Sequence, residues 1–184
     1  MSYKNENMKM IELHENGLDI QFRIRENGVV ELADFSSQEV KKAVMEPKDD
    51  ICYPAVEIHR SGTGSLNMHA YKNNINQSSV DFVYENHELK AQAGGKELEI
   101  VMISPEKLKA VYHMRLFDGV PAVQTWTEII NEGSEDQGLT YVSSFMYQGI
   151  SRGGEKLIIK KQISMCRLTA GAVRHSGRNM MQKR

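Results

Sequence analysis

The chain has 184 residues, 40% of them hydrophobic, and sets 23 Lys+Arg against 24 Asp+Glu for a formal net charge of −1. That length suits one large domain, and the near-neutral balance excludes a global field that would recruit nucleic acid or an anionic membrane. Apolar runs extend only a few residues, so neither a membrane span nor a signal-peptide core is predicted, and the polar, Lys-bearing start MSYKNENMKM points to the cytoplasm.

After a short strand at Met10–Leu13, the segment Gly17–Arg25 alternates. Leu18, Ile20, Phe22 and Ile24 face one way, with Asp19, Gln21, Arg23 and Arg25 facing the other, which defines a half-buried strand. Glu26-Asn27-Gly28 supplies a hairpin turn, because Asn and Gly tolerate positive φ, and Val29–Phe35 returns as the partner strand. The charged stretch Ser36–Asp50, with Pro47 in it, reads as an excursion across a sheet edge carrying a helical turn at Gln38–Val44.

Tyr53–His59 is the next strand, with Pro54 at its start because proline has no amide to donate. Beyond the tight connection Ser61–Gly64, Leu66, Met68 and Ala70 alternate with Asn67, His69 and Tyr71. Ser79–Glu85 follows with Val80, Phe82 and Tyr84 on one face, and Gly94-Gly95 turns the chain into Glu97–Ile103. Lys107–Phe117 sets Leu108, Ala110, Tyr112, Met114 and Leu116 against Lys107, Lys109, Val111, His113 and Arg115.

Asp118-Gly119 then leads to Val123–Ile130 and Leu139–Tyr147, two strand-like segments around the polar connection Asn131–Gly138. The pair reads as an antiparallel hairpin near the middle of a sheet. About ten strands joined by short turns, with almost no helix, predict an all-β antiparallel sandwich whose strands each keep one wet face.

Few residues suggest chemistry. Cys52 and Cys166 match no metal spacing and read as reduced, buried small side chains. His59, His69, His87 and His113 form no spaced metal set and read as surface residues on polar faces or in turns. A mutarotase would need His and Glu converging on a sugar, for which His69, His113 and Glu128 are the candidates. Trp126, the sole tryptophan, reads first as core and second as a platform for a sugar ring. The acidic groups Asp49-Asp50 and Glu132/Glu135/Asp136 sit in solvated turns. No catalytic, metal-binding or cofactor-binding residue is assigned, and no cofactor is expected.

Taken together, Pro54-Ala55-Val56-Glu57-Ile58, Leu98-Glu99-Ile100, Trp126-Thr127-Glu128-Ile129-Ile130-Asn131 and Ser143-Ser144 leading to Tyr147-Gln148-Gly149 form an ordered pattern over roughly Leu18 to Gly154. This pattern resembles the N-terminal domain of family 36 glycoside hydrolases, the α-galactosidase family. The resemblance implies a galactose mutarotase-like β-supersandwich over residues 1–164, non-catalytic, packed against a barrel and supporting homo-oligomers, with an α-galactoside as the carbohydrate partner. Many members carry Asp-Phe-Arg ahead of Pro-Ala, where this chain has Asp50-Ile51-Cys52-Tyr53. The carbohydrate-contact candidates are therefore Trp126, His69 and Asp50.

The family's two catalytic aspartates lie on a (β/α)₈ barrel of roughly 250 residues, against about 30 residues after Gly154 here. Paired carboxylates are the minimum for glycoside hydrolysis, so no hydrolysis is expected from this chain alone. From Met165 to Arg184 the strand alternation stops, and residues 165–184 read as an irregular, disordered tail. Taking the third base of each codon with the first two of the next permits Ser-Trp-Cys-Gly-Glu-Ala-Gln-Trp between Thr169 and Gly177, similar to the family's exit from the sandwich. The expectation is a frameshift near Cys166 in a longer glycosidase gene.

Overall fold

A computed structural model of the chain describes residues 9–36, 53–63 and 77–147. The predicted helical turn at Gln38–Val44, the Leu66–Ala70 strand, both cysteines and the tail from Met165 lie outside the described residues. Within them the chain is an antiparallel, all-β sandwich with a single helical turn.

Strands β1 (Lys9–Glu15), β2 (Leu18–Ile24) and β3 (Val30–Ser36) form one sheet in chain order. The β1–β2 turn is the two residues Asn16 and Gly17, both at positive φ (51° and 79°), as a tight hairpin with native twist requires. A second sheet contains β5 (Val83–Gln92), β6 (Gly95–Ile103), β7 (Leu108–Phe117) and β8 (Val120–Asn131), again in chain order. A short ladder joins β4 (Ile58–Arg60) to β9 (Leu139–Val142), and α1 (Gln77–Val80) precedes β5.

The alternation read from the sequence sets the core. Ile20, Phe22, Leu98, Ile100, Ala110, Tyr112 and Met114 are all closed to solvent and belong to one apolar cluster drawn from both sheets. The ring of Phe22 meets Tyr112 edge-on at 5.7 Å. Polar ties fix the two sheets further: the Asn16 amide donates to the Phe117 carbonyl (2.8 Å), and Asn16 Oδ1 accepts from the Gly119 amide (3.0 Å). The Tyr84 amide donates to the Gly28 carbonyl (2.8 Å) and the Ala55 amide to the Val30 carbonyl (2.7 Å).

Four expectations are corrected. Val123–Ile130 and Leu139–Tyr147 do not pair with each other: β8 pairs with β7 at the end of its sheet, and β9 pairs with β4. The connection between them is tied elsewhere, the Glu132 amide to the Lys107 carbonyl and the Ser61 amide to the Gly138 carbonyl, which carries the chain over to β4. The predicted strand Tyr53–His59 shrinks to Ile58–Arg60, since Tyr53–Glu57 packs Ala55 and Val56 inward without a ladder.

Ser79 and Val80 are helical rather than extended. The cause lies in two serines whose hydroxyls serve neighbouring backbone: Ser79 Oγ accepts from the Ile58 amide (2.9 Å) and Ser78 Oγ from the Arg60 amide (3.3 Å). Finally, the polar faces of β6 and β7 are not wet, for Glu97, Val111 and His113 are all buried. No helix among the described residues is long and apolar enough to cross a membrane.

Candidate functional site

The alternation that sends Leu98 and Ile100 into the core sends Glu97 and Glu99 to the opposite face of β6. On β7 the same rule turns His113 and Arg115 outward between Tyr112, Met114 and Leu116. Register then assembles a row across the sheet: Glu88 opposite Glu99, Glu99 opposite His113, and His113 opposite Trp126. A neighbouring row runs Lys90, Glu97, Arg115, Gln124.

Side chains bond diagonally between these rows. His113 Nδ1 lies 2.9 Å from Glu97 Oε1 and 3.9 Å from Glu99 Oε1. Each carboxylate's second oxygen is held from β5, as the Gln92 amide donates to Glu97 Oε2 at 2.6 Å and Lys90 Nζ to Glu99 Oε2 at 2.5 Å. The Glu99 carboxylate that accepts this bond raises the Lys90 pKa, so the ammonium stays charged. The indole of Trp126 stacks on the imidazole, centroids 4.6 Å apart and planes within 5°. His113 Nε2 is buried and has no hydrogen-bond partner among the described residues.

Of the carbohydrate-contact candidates, Asp50 and His69 lie outside the described residues. Trp126 is half-buried on the outward face of β8 and takes no part in the apolar core, which corrects its first reading. Its stacking partner is His113. The imidazole pairs with Glu97 and Glu99 rather than with Glu128, which sits opposite Val111 in the next row. With Nδ1 engaged and Nε2 buried, His113 presents no open nitrogen for acid–base work on a sugar.

His113 also departs from the expectation of a surface histidine, being 7% exposed. The Glu97–Glu99–His113 cluster escaped the sequence reading. Its signal is Glu-x-Glu on one strand and a histidine at the mirrored position across a four-residue turn.

A second polar group lies at the β4–β9 ladder. Glu57 Oε1 is 2.8 Å from His59 Nε2, and the His59 ring lies against Tyr141 at 5.1 Å. The Glu57 amide donates to Ser143 Oγ (2.7 Å), the Ser143 amide to the Glu57 carbonyl (2.8 Å) and Thr127 Oγ1 to the Ser143 carbonyl (3.0 Å). Buried Arg60 is paired twice, with Asp81 at 3.0 Å and Glu106 at 2.7 Å. These contacts tie the β4–β9 ladder to β8 and to the connections that carry Asp81 and Glu106. Their role is architectural.

The described residues thus define an all-β fold with a largely buried carboxylate–imidazole group beside a stacked tryptophan on its outward face. Comparison with protein-family models and with curated proteins gives no match. Among solved structures the chain is similar to the GH36 alpha-galactosidase AgaA from Geobacillus stearothermophilus, at 13% identity and a TM-score of 0.42. That likeness covers 69% of this chain and 23% of the enzyme's, so the chain spans less than a quarter of the structure it matches.

Proposed function

We propose that this chain is the non-catalytic N-terminal β-sandwich domain of an α-galactosidase-type glycoside hydrolase, packing against a catalytic barrel and supporting oligomers. The observation that carries the reading joins sequence to packing. Three of the four segments that resemble the glycosidase pattern are far apart in the chain and meet in space. Glu57 of the first bonds twice to Ser143 of the third, and Thr127 of the second bonds to the same Ser143. Ties of this kind hold a fold together, and none of these residues needs to touch substrate.

The test lies in the gene. Downstream DNA should encode, in one frame, a barrel of roughly 250 residues with two aspartates at strand ends. No such frame there would end the proposal. The purified chain should leave an α-galactoside uncleaved, and light scattering should report self-association at high concentration.

A second reading, a freestanding carbohydrate-binding module, is favoured by one observation: Trp126 is half-buried on an outward sheet face beside Gln124 and Glu128. Galactose, melibiose and raffinose titrated calorimetrically would then give saturable heats that disappear in Trp126→Ala. Absence of heat with all three sugars leaves the first reading alone.

A further inference from the structure

We propose that Glu97, Glu99 and His113 form a binding site for a divalent first-row transition ion of the zinc type on the outward face of the β5–β8 sheet. One donor atom from each residue lies within 4.8 Å of the other two. An ion bound at about 2.0–2.2 Å to nitrogen and oxygen donors in a tetrahedral arrangement needs them about 3.3 Å apart. The His113 Nδ1 separations of 2.9 and 3.9 Å bracket that value.

The carboxylates are already aimed. Gln92 and Lys90 each hold the Oε2 atom of one carboxylate, which leaves both Oε1 atoms turned toward Nδ1. Outer hydrogen bonds of this kind orient metal ligands and tune their basicity.

The imidazole is fixed as well. Its side chain is 9% exposed and the indole of Trp126 holds it flat, which keeps Nδ1 turned to the two Oε1 atoms.

Charge points the same way. The buried Glu31 is matched by two guanidinium groups, those of Arg23 (2.6 Å) and Arg25 (3.1 Å). Among the described residues Glu99 has one ammonium partner, Lys90, which also reaches Glu88 at 3.6 Å, and Glu97 pairs with no Lys or Arg, since Arg115 turns its guanidinium to the Ala93 carbonyl and the Phe117 ring. The excess is negative and suits a cation. One imidazole with two carboxylates selects zinc, cobalt, nickel or copper over magnesium and calcium, which prefer all-oxygen shells. Glu99 and Lys90, partly exposed, form the side from which an ion enters.

The molecule contains its own reporter. Trp126 is the only tryptophan in the chain and stacks on the proposed ligand. Co²⁺ added to the full-length protein at neutral pH should therefore quench its fluorescence with one-site saturation. Diamagnetic Zn²⁺ should restore the emission by displacing Co²⁺, and Mg²⁺ should not. Glu99→Gln, an isosteric change at a partly exposed position, should weaken Co²⁺ binding about ten-fold or more.

Glu88→Gln removes the same charge from the same row without removing a ligand, and should shift affinity less than about three-fold. Zn²⁺ should also raise the urea midpoint of the wild-type chain, because only the folded state assembles the three donors. Unsaturable or absent quenching, a Glu99→Gln protein that binds like wild type, equal losses in the two variants, or a urea midpoint indifferent to saturating Zn²⁺ would each overturn the proposal. None of these readouts depends on the sugar-related reading above.

Discussion

Tyr112 shows how one buried hydroxyl sets a pH limit on the fold. The residue is 1% exposed, and its ring belongs to the core shared by the two sheets. Burial pushes its pKa well above the ordinary tyrosine value, against a smaller opposing effect of Thr125. In the unfolded chain the phenol ionises near pH 10. Above that pH the unfolded state sheds a proton that the folded state keeps, so stability present below pH 10 falls as pH rises toward the folded pKa. The slope from this residue is about 1.4 kcal/mol per pH unit. Urea midpoints at pH 9 and pH 11 should show the drop, and Tyr112→Phe should lose this part of it; an unchanged slope in the variant would assign the effect elsewhere. Single residues were the least legible scale in the sequence. Trp126 lies on a face that one-dimensional alternation marks as outward, yet its β-rich neighbours suggested core. Alternation marks His113 as solvated, because polar faces usually are. Its burial depends on Trp126, ten or more positions away in sequence and adjacent only through register.

At the scale of elements, strand existence was plain and strand partnership was not. Gly17–Arg25, Glu97–Ile103 and Lys107–Phe117 alternate so regularly that side-chain direction follows from period two. Partnership requires the path of the turns. Asn131–Gly138 has turn composition, but its ties to Lys107 and Ser61 send β9 to β4 instead of back onto β8. Ser78 and Ser79 likewise favour a helical turn for a reason visible only once Ile58 and Arg60 lie beside them. Where the backbone itself is the constraint, the consequence can be tested. Ala93 and Gly94 form the β5–β6 turn and Gly95 opens β6, with both glycines at positive φ (76° and 157°). A Cβ on Gly94 would meet nothing within 4 Å, whereas one on Gly95 would lie 1.9 Å from the Leu116 carbonyl oxygen, in the neighbouring strand. Gly94→Ala should destabilise by about 1 kcal/mol through the left-handed backbone alone. Gly95→Ala should exceed it by about 1–3 kcal/mol, as expected when a well-packed contact is overfilled. Urea denaturation of the pair measures the difference directly, and equal losses would mean that β7 yields at Leu116.

For the whole molecule the question is whether two sheets behave as one folding unit. Each sheet has one apolar face, and neither face is shielded without the other: Ile11, Leu13, Ile20 and Phe22 from β1 and β2 join Leu98, Ile100, Tyr112 and Met114 from β6 and β7 in a single cluster. Burial of this kind is roughly proportional to area, so separating the sheets would forfeit most of the stabilisation of both. Polar ties at both ends reinforce the union, Asn16 to the β7–β8 turn and Gly28 to the start of β5. The Phe22–Tyr112 edge-to-face contact at 5.7 Å is the point where this union is most directly measurable. Phe22→Leu and Tyr112→Leu should each destabilise, and their combination should cost less than the sum by about 0.5–1.5 kcal/mol, the coupling of a well-placed aromatic pair. Unfolding should remain a single transition in all three variants, with fluorescence of Trp126 in one sheet and far-UV circular dichroism of the whole chain changing together. Strict additivity would mean that the rings do not support one another across the interface. Separate transitions by the two probes would mean that the sheets fold independently, and that Asn16 and Gly28 join finished parts instead of closing a shared core.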